Sequence, residues 1–323
     1  MLNQSEYVIS TRVRIARNIK GFKFPNNMNK EETEKVNKLV KSNISNDFNF
    51  LRLKDMDENT ILTLVEKHLI SYDLAKNNNS AIVINKDSSI VIMVNEEDHI
   101  RLQAFGDGLD IDNVYNNAKK EEYALNLDYA NDSRYGYLTS CLTNIGSGLR
   151  ISVMVHLPGL VKLKKLNKIV ENILEAGVLI RGLYGENTAG YGDMFQLSNK
   201  SSFGESDDTL ISNLKSVISY VISQEKKARE LLLKQNIMFE DNIFKSYGTL
   251  KYARYLSYEE AMENLSKIRV GISLGLIDNI KLEDINELMK NISGSSLKIN
   301  TKLQLNDYEE NIQRAEYIRK KVK

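Results

Sequence analysis

Hydrophobic and polar positions repeat at two periods along this chain, and the change of period divides it. Val8–Arg17 reads Val-Ile-Ser-Thr-Arg-Val-Arg-Ile-Ala-Arg, so an extended backbone places Arg12 and Arg14 on one face, Val13 and Ile15 on the other. Residues 80–86 and Ile90–Val94 are β-rich runs separated by Asp87-Ser88-Ser89 and predict a hairpin. Arg150 and Ser152 alternate with Ile151 and Val153; residues 178–181 read as a buried strand and Met194–Asn199 as a further one. Helical spacing predicts helices over 30–42, 110–130 and 163–175, the last with Leu166, Ile169, Val170, Ile173 and Leu174 on one side and Gly177 at C′. Ser206 caps a long helix, its first turn acidic at Asp207 and Asp208 and its stripe running from Leu210 to Ile222. From about Asn236 helices predominate: Ser257-Tyr258-Glu259-Glu260 fits a capping box, and 282–292 and 308–322 follow. The pattern predicts two domains, residues 1–230 and 231–323.

One stretch concentrates chemistry. Residues 136–154 hold the cysteine, Cys141, then Gly146-Ser147-Gly148, then Arg150, Ile151, Ser152, Val153 and Met154. Glycine takes positive φ cheaply, so Gly-Ser-Gly forces a tight path between a thiol and an arginine. A small buried residue is the plain alternative for Cys141. Arg12 and Arg14, about 7 Å apart on one strand face, suit a polyphosphate, because each guanidinium grips oxygens bidentately; a solvated strand face is the plain alternative. Asn95-Glu96-Glu97-Asp98-His99-Ile100-Arg101 suggests a metal site, but strand neighbours face alternately and cannot all converge. It is either an acidic turn or a carboxylate aimed into a cleft as a base, with Arg101 facing phosphate. Arg181-Gly182-Leu183-Tyr184-Gly185-Glu186 sets a carboxylate after a glycine-bracketed turn, and 187–193 read as a mobile loop. His68, by pattern alone, is structural or exposed. The residues together describe an arginine-lined anion site with a carboxylate base. No P-loop, dinucleotide-binding glycine motif or His-Arg-Asp kinase set is present.

Composition narrows the classes. The 323 residues carry a formal charge of +1, which argues against a general nucleic-acid or membrane binder. One cysteine excludes an intramolecular disulfide framework and a multi-cysteine zinc site, and fits a reducing cytoplasm. No secretory signal is visible at the N-terminus, and no apolar run approaches the roughly 18 residues that span a bilayer.

Ser10-Thr11-Arg12-Val13-Arg14, the 95–101 run, the Cys141-to-Arg150 run, the 181–186 run and residues 196–199 stand in one order, and together they resemble the phosphagen (guanido) kinase family. Within it the chain is similar to the bacterial protein-arginine kinases of the McsB type, on Glu66-Lys67-His68-Leu69-Ile70-Ser71, the 181–186 run and the helical C-terminal segment. The resemblance implies an α+β fold, a mainly antiparallel sheet flanked by helices and followed by a small all-helical domain. It implies transfer of the ATP γ-phosphate to protein arginine, with Mg²⁺ bound through the nucleotide and no metal held by protein side chains. Arg12, Arg14, Arg101, Arg150 and Arg181 would hold the phosphates, and Ser10, Thr11, Val13, His68, residues 151–154, Gly182, Leu183, Tyr184, Gly185 and Glu186 would line the nucleotide. Glu97 and Glu186 would flank the acceptor guanidinium, and Cys141 would sit near it. Small-guanidine kinases carry a helical domain before the catalytic part; nine residues precede Ser10 here, which implies an open site suited to protein-borne arginine. The resemblance also implies marking of proteins for a Clp-type unfoldase under stress, a zinc-containing activator protein, a homodimer and a cytoplasmic location.

The chain departs from the family at several positions, Ser147 for threonine being a mild one. Leu142 stands where it has proline after the cysteine, which is expected to loosen the turn. The Arg-Asp-x-x-Arg-Ala motif that binds phosphoarginine as an allosteric signal is reduced to Arg314 and Ala315, with Glu310 and Asn311 in its first two places. Glu310 would repel a phosphate, so that regulation is expected not to operate in the same way. A kinase of a free guanidino metabolite and a non-catalytic adaptor are the competing functions. A nucleic-acid binder built on the 12–17 arginines would need strongly salt-dependent binding.

Overall fold

The computed structural model describes residues 4–182 and 191–322. Its strands are β1 (Val8–Arg17), β2 (Phe48–Arg52), β3 (Ala81–Asn85), β4 (Ile90–Val94), β5 (Ile100–Asp107), β6 (Asn131–Asp132), β7 (Gly136–Tyr137), β8 (Leu149–His156), β9 (Val178–Gly182) and β10 (Met194–Asn199). Its helices are α1 (Lys30–Asn43), α2 (Glu58–Glu66), α3 (Tyr72–Ala75), α4 (Ile111–Ala124), α5 (Pro158–Lys162), α6 (Leu166–Glu175), α7 (Asp207–Gln235), α8 (Ile237–Tyr252), α9 (Tyr258–Ser273), α10 (Leu282–Asn291), α11 (Gly294–Thr301) and α12 (Asp307–Lys321). Among the described residues the large sheet has the order β2-β3-β4-β5-β1-β8-β10-β9, and β6-β7 form a small ribbon. The pairs β1–β5, β2–β3, β3–β4 and β4–β5 are antiparallel. This is the α+β, mainly antiparallel architecture expected. No helix among the described residues is long and apolar enough to cross a membrane.

The chain forms two compact units. One joins Ser10–Val153 with Ser198–Ser216; the other joins Met1–Ile9, Met154–Leu197 and Val217–Lys323. In the first, α2 and α3 pack on β3 and β4, where Leu53, Ile70, Leu74, Ile82, Val91 and Met93 form a buried cluster. In the second, α8, α9, α10 and α12 close around Ile243, Leu250, Leu265, Ile268, Ile285 and Ile318. Burying each such side chain contributes about 1.5–3 kcal/mol, so this helical cluster is a core in its own right. Ser257 caps α9 by accepting from the Glu260 N–H at 3.1 Å. Asn29 and Asn306 form reciprocal capping boxes on α1 and α12.

Two predicted helices are shorter than their pattern. The 110–130 helix ends at Ala124, because Asn126 turns left-handed (φ 46°) and Tyr129 instead bridges Ile19. The 163–175 helix starts at Leu166, because Lys164 is left-handed (φ 56°) and the preceding turn belongs to α5, opened by Pro158. Helix α7 runs unbroken through residue 230 to Gln235.

Candidate active site

The sheet itself gathers the cations. Antiparallel pairing sets Arg12 opposite Phe105, Arg14 opposite Gln103 and Ala16 opposite Arg101, so Arg12, Arg14 and Arg101 share one face. On β8, Arg150 and Ser152 join them: Arg12 Nε donates to Ser152 Oγ at 3.4 Å, and Arg150 donates to Ser198 Oγ at 3.2 Å. Asn199 fixes the Arg150 backbone, accepting from Ile151 N–H at 2.8 Å and donating to Leu149 C=O at 3.0 Å. Between the arginines, Val13, Ile151 and Val153 are wholly buried on the opposite face.

Burial and crowding lower the affinity of these guanidiniums for their protons. Arg12 is pushed down to about 10, first by burial and then by Arg101 and Arg150. Arg14 falls well below its ordinary value, first by burial and then by Arg12, Arg101 and Arg150. Both keep a partly accessible face, yet Arg14 Nε is buried without a hydrogen-bond partner. Glu96 faces them and is bonded by Arg101 at 2.6 and 2.9 Å. Burial acts to raise the Glu96 carboxyl, but the Arg101 charge and the bonds from Ser71 and Arg101 prevail and hold it below its ordinary value. Buried cationic groups with an unused donor form a surface suited to a polyanion.

His68 reaches this face through backbone geometry. Helix α2 ends at Glu66, Lys67 caps it, and His68 follows in the left-handed region (φ 56°). Gln103, opposite Arg14, pins the turn by donating to Leu69 C=O at 2.7 Å. The imidazole is held neutral, its pKa lowered to about 4 by burial and then by Arg12.

The acidic run is a turn whose three carboxylates do different things. Glu96 neutralises Arg101. Asp98 accepts from Asn18 at 2.6 Å and from Ser140 N–H at 2.7 Å, so it is a brace. His99 accepts from Ile19 N–H on Nδ1 (2.9 Å) and donates from Nε2 to Lys23 C=O (2.9 Å). Glu97 alone is exposed, with its pKa raised by partial burial and then by Asp98 and Glu96. Ser140 donates to Glu97 C=O at 2.7 Å, which ties this turn to Cys141, the next residue. Among the described residues no group of three or more His, Cys, Asp and Glu side chains could hold a metal ion.

Cys141 is half-buried, its Sγ 3.1 Å from Thr143 Oγ1. Leu142, 79% exposed, opens a short 3₁₀ turn (Leu142–Asn144), closed by Asn144 N–H to Cys141 C=O at 3.0 Å. The turn forms without proline, since the first residue of a helical turn has no internal bond to donate. Gly146 (φ 105°) and Gly148 (φ 65°) are required: a Cβ would meet Ser202 C=O at 2.6 Å in the first and Arg17 and Ala16 C=O in the second. Arg17 buttresses this path, bonded to Ala16 and Ser147 carbonyls, paired with Glu122, and lying 3.5 Å over the Tyr137 ring.

The remaining candidates fall into three groups. Thr11 is spent on structure, donating to Gly108 C=O and accepting from Asp110 N–H. Ser10 and Met154 are partly exposed on β1 and β8; Arg181, half-buried, and Gly182, buried, lie on β9. Leu183, Tyr184, Gly185 and Glu186 lie outside the described residues. Gln103 acts as a positioning group that the sequence pattern does not single out; Ser198 and Asn199 do so from within the 196–199 run, to which the sequence gives no role, and Glu96 is likewise left without one. Register with Arg14 is the signal that could have found Gln103. Shape alone points elsewhere, to a cavity of about 1190 Å³ lined by Tyr191, Asp193, Glu259, Glu263 and Lys267. Its Glu259 and Glu263 are already bonded to Tyr191 and Lys267, so chemistry rather than volume selects the arginine face.

Residues 28–228 match the ATP:guanido phosphotransferase C-terminal catalytic domain. The chain belongs to that family. Residues 236–323 match the C-terminal domain of the protein-arginine kinase McsB. A protein-arginine kinase of Clostridium acetobutylicum is 40% identical over 332 residues, covering 100% of this chain and 98% of its own. One of Pelotomaculum thermopropionicum is 41% identical over 329 residues, covering 98% and 92%. Among solved structures, a lombricine kinase aligns with TM-score 0.62 and 26% identity over 69% of this chain and 67% of its own. The duplicated taurocyamine kinase of Schistosoma mansoni, with bound transition-state-analogue components, aligns with TM-score 0.61 and 27% identity over 69% and 33%. Membership makes this guanido phosphotransferase an ATP-dependent enzyme that phosphorylates a guanidino nitrogen.

Proposed function

We propose that the enzyme transfers the ATP γ-phosphoryl group to arginine side chains of proteins. The observation that carries a phosphate site is the arginine face of β1, β5 and β8, with Arg14 Nε buried and unbonded. The protein acceptor is supported by the match of the helical C-terminal part as well as the catalytic part to protein-arginine kinases.

In this reading Arg12, Arg14, Arg101, Arg150 and Arg181 hold the phosphates, and neutral His68 packs against the nucleotide. Mg²⁺, carried by the nucleotide, neutralises phosphate charge. An arginine guanidinium is protonated and is no nucleophile until it gives up a proton. Glu97, with its raised pKa, and Glu186 flank the acceptor and take that proton as the N–P bond forms and the bond from the γ-phosphorus to ADP breaks. Cys141 sits at the acceptor, where a thiolate favours the guanidinium charge. Ser10, Thr11, Val13, residues 151–154, Gly182, Leu183, Tyr184 and Gly185 line the nucleotide in the same reading.

The same reading places the enzyme in the cytoplasm as a homodimer that marks proteins for a Clp-type unfoldase under stress, with a zinc-containing activator. It assigns no phosphoarginine site to Arg314. That side chain is 2% exposed, donates to the Ile292 and Leu256 carbonyls and to Asn311, and lies 3.8 Å from Glu310.

The test is mass spectrometry, under non-acidic conditions that preserve the P–N bond, after ATP and Mg²⁺ are supplied with an unfolded protein or with free arginine. Phosphoarginine on the protein alone is expected. Product on free arginine alone identifies a metabolite kinase, and product on neither identifies an adaptor.

A further inference from the structure

We infer that Leu142, Tyr135 and Phe203 form an apolar platform beside Cys141 that takes apolar side chains flanking the acceptor arginine in an unfolded segment of the substrate protein. The inference rests on the reading that a protein-borne arginine is presented to Cys141 and Glu97, and it names what else of that protein the enzyme reads.

The platform is assembled around one glycine. Tyr137 and Gly146 exchange N–H to C=O bonds at 2.8 and 3.3 Å, which fastens the β6–β7 ribbon to the turn after Cys141. Gly136 packs so closely there that a Cβ would meet Gly146 C=O at 2.7 Å. From the other side, a Cβ on Gly146 would come within 3.2 Å of Phe203 Cα. Ser202, the residue before Phe203, donates its N–H to Thr143 C=O at 3.1 Å and its hydroxyl to Ile145 C=O at 3.2 Å. Tyr135 stands at the tip of the ribbon, where Asp132 accepts from its N–H at 3.2 Å and from the Arg134 N–H at 2.8 Å. The Tyr135 and Phe203 rings stack, with centroids 6.4 Å apart and planes 28° from parallel.

What these bonds hold is left in water. Leu142 is 79% exposed, Phe203 53% and Tyr135 46%. A single exposed apolar side chain is ordinary, but several brought from separate stretches onto one braced framework mark an interaction surface. Position says what covers it. Leu142 follows Cys141, and Ser140 before it donates to Glu97 C=O at 2.7 Å, so the platform is continuous with the acceptor site. The exposed Glu97 carboxylate there complements a guanidinium. An extended chain advances only about 3.3–3.6 Å per residue, so the near neighbours of the acceptor arginine lie over the surface around Cys141. Leucine and phenylalanine side chains are buried in a folded protein; an unfolded segment presents them, and they leave water by settling on Leu142 and the two rings.

The experiment compares two synthetic peptides that each carry a single arginine, flanked by leucine and phenylalanine in one and by serine and glycine in the other. Rates with ATP and Mg²⁺ are read by mass spectrometry for wild type, Phe203→Ser and Leu142→Ser, each with its melting temperature. Wild type is expected to favour the apolar-flanked peptide about tenfold in kcat/KM, and each variant to lose about three- to fivefold of that preference through KM for this peptide, with the serine-flanked peptide and KM for ATP unchanged. A purely structural role would lower melting temperature and slow both peptides alike. If Leu142→Ser disturbs the Cys141 turn, Phe203→Ser, on another loop, decides. Equal rates on the two peptides in wild type, or a preference untouched in both variants, overturns the inference. Loss of self-association in Phe203→Ser at an unchanged preference overturns it too, and assigns the platform to a second copy of this chain. No product on either peptide, with phosphoarginine formed from free arginine, overturns the protein-acceptor reading beneath it.

Discussion

Two groups of arginines are drawn out of water in this chain, and they are built in opposite ways. Arg229 and Arg269 have their donors placed on main-chain carbonyls, a carboxylate, a histidine and small polar side chains. Arg12 and Arg14 crowd against Arg101 and Arg150, with a long bond to Ser152 for one and a buried, unbonded Nε for the other. Both groups are equally cationic, so charge does not separate them. Partner accounting does: a guanidinium whose donors are filled by its own chain is a joint, and one whose donors are left over is a receptor. Arg314 falls on the joint side by the same count, and Arg17 does so through two carbonyls and the ion pair of its Nε with Glu122.

The comparison breaks most visibly under truncation. Arg229→Ala leaves Glu225 buried without its charge partner and is expected to cost about 3–5 kcal/mol of stability, read by denaturant unfolding. Arg150→Ala is expected to leave the unfolding curve nearly in place while lowering kcat/KM by on the order of 10². Large destabilisation by Arg150→Ala, or none by Arg229→Ala, would erase the distinction.

Acid titration sharpens it. Burial, then Arg269 and Arg229, holds the His156 pKa well below its ordinary value, so the unfolded chain takes up this proton first. The His156 contribution is complete above about pH 6.5 and is lost as pH falls, by about 1.4 kcal/mol per unit. His156→Gln lacks that slope, so the stability difference between wild type and variant should shrink below pH 6.5. A constant difference would mean that His156 titrates normally. The smallest expected effect is none: free phosphoarginine should not change the rate, because the donors of Arg314 are filled. An activation curve abolished by Arg314→Ala would return Arg314 to the receptor side.

Sequence made the sheet legible through alternation on β1 and β8 and through β-rich runs on β3, β4 and β10. The arginines sharing a face on β1 could be read the same way. Helix ends were less legible. Lys164 adopts a left-handed conformation that its side chain does not announce, Asn126 adopts one that asparagine tolerates without requiring it, and Tyr129 is taken by Ile19 from more than a hundred residues away. His68 had no local signal for its place beside Arg12, because a bond from Gln103 to Leu69 puts it there. The knot of Ser5, Glu6, His156, Arg229 and Arg269 was invisible for the same reason: Arg269 and Glu6 stand 263 positions apart. Short-range pattern reports faces and periods, whereas the filling of donors is decided by partners distant in the chain.

The central claim is that the unfilled donors of the β1 face receive the nucleotide. Calorimetric titration of ATP and Mg²⁺ into wild type and Arg14→Ala, each with its melting temperature measured, tests it most directly. At least tenfold weaker binding is expected at an unchanged melting temperature, since a charge-assisted pair is worth about 1.5–3 kcal/mol. Equal affinity for ATP in the two proteins would contradict the account.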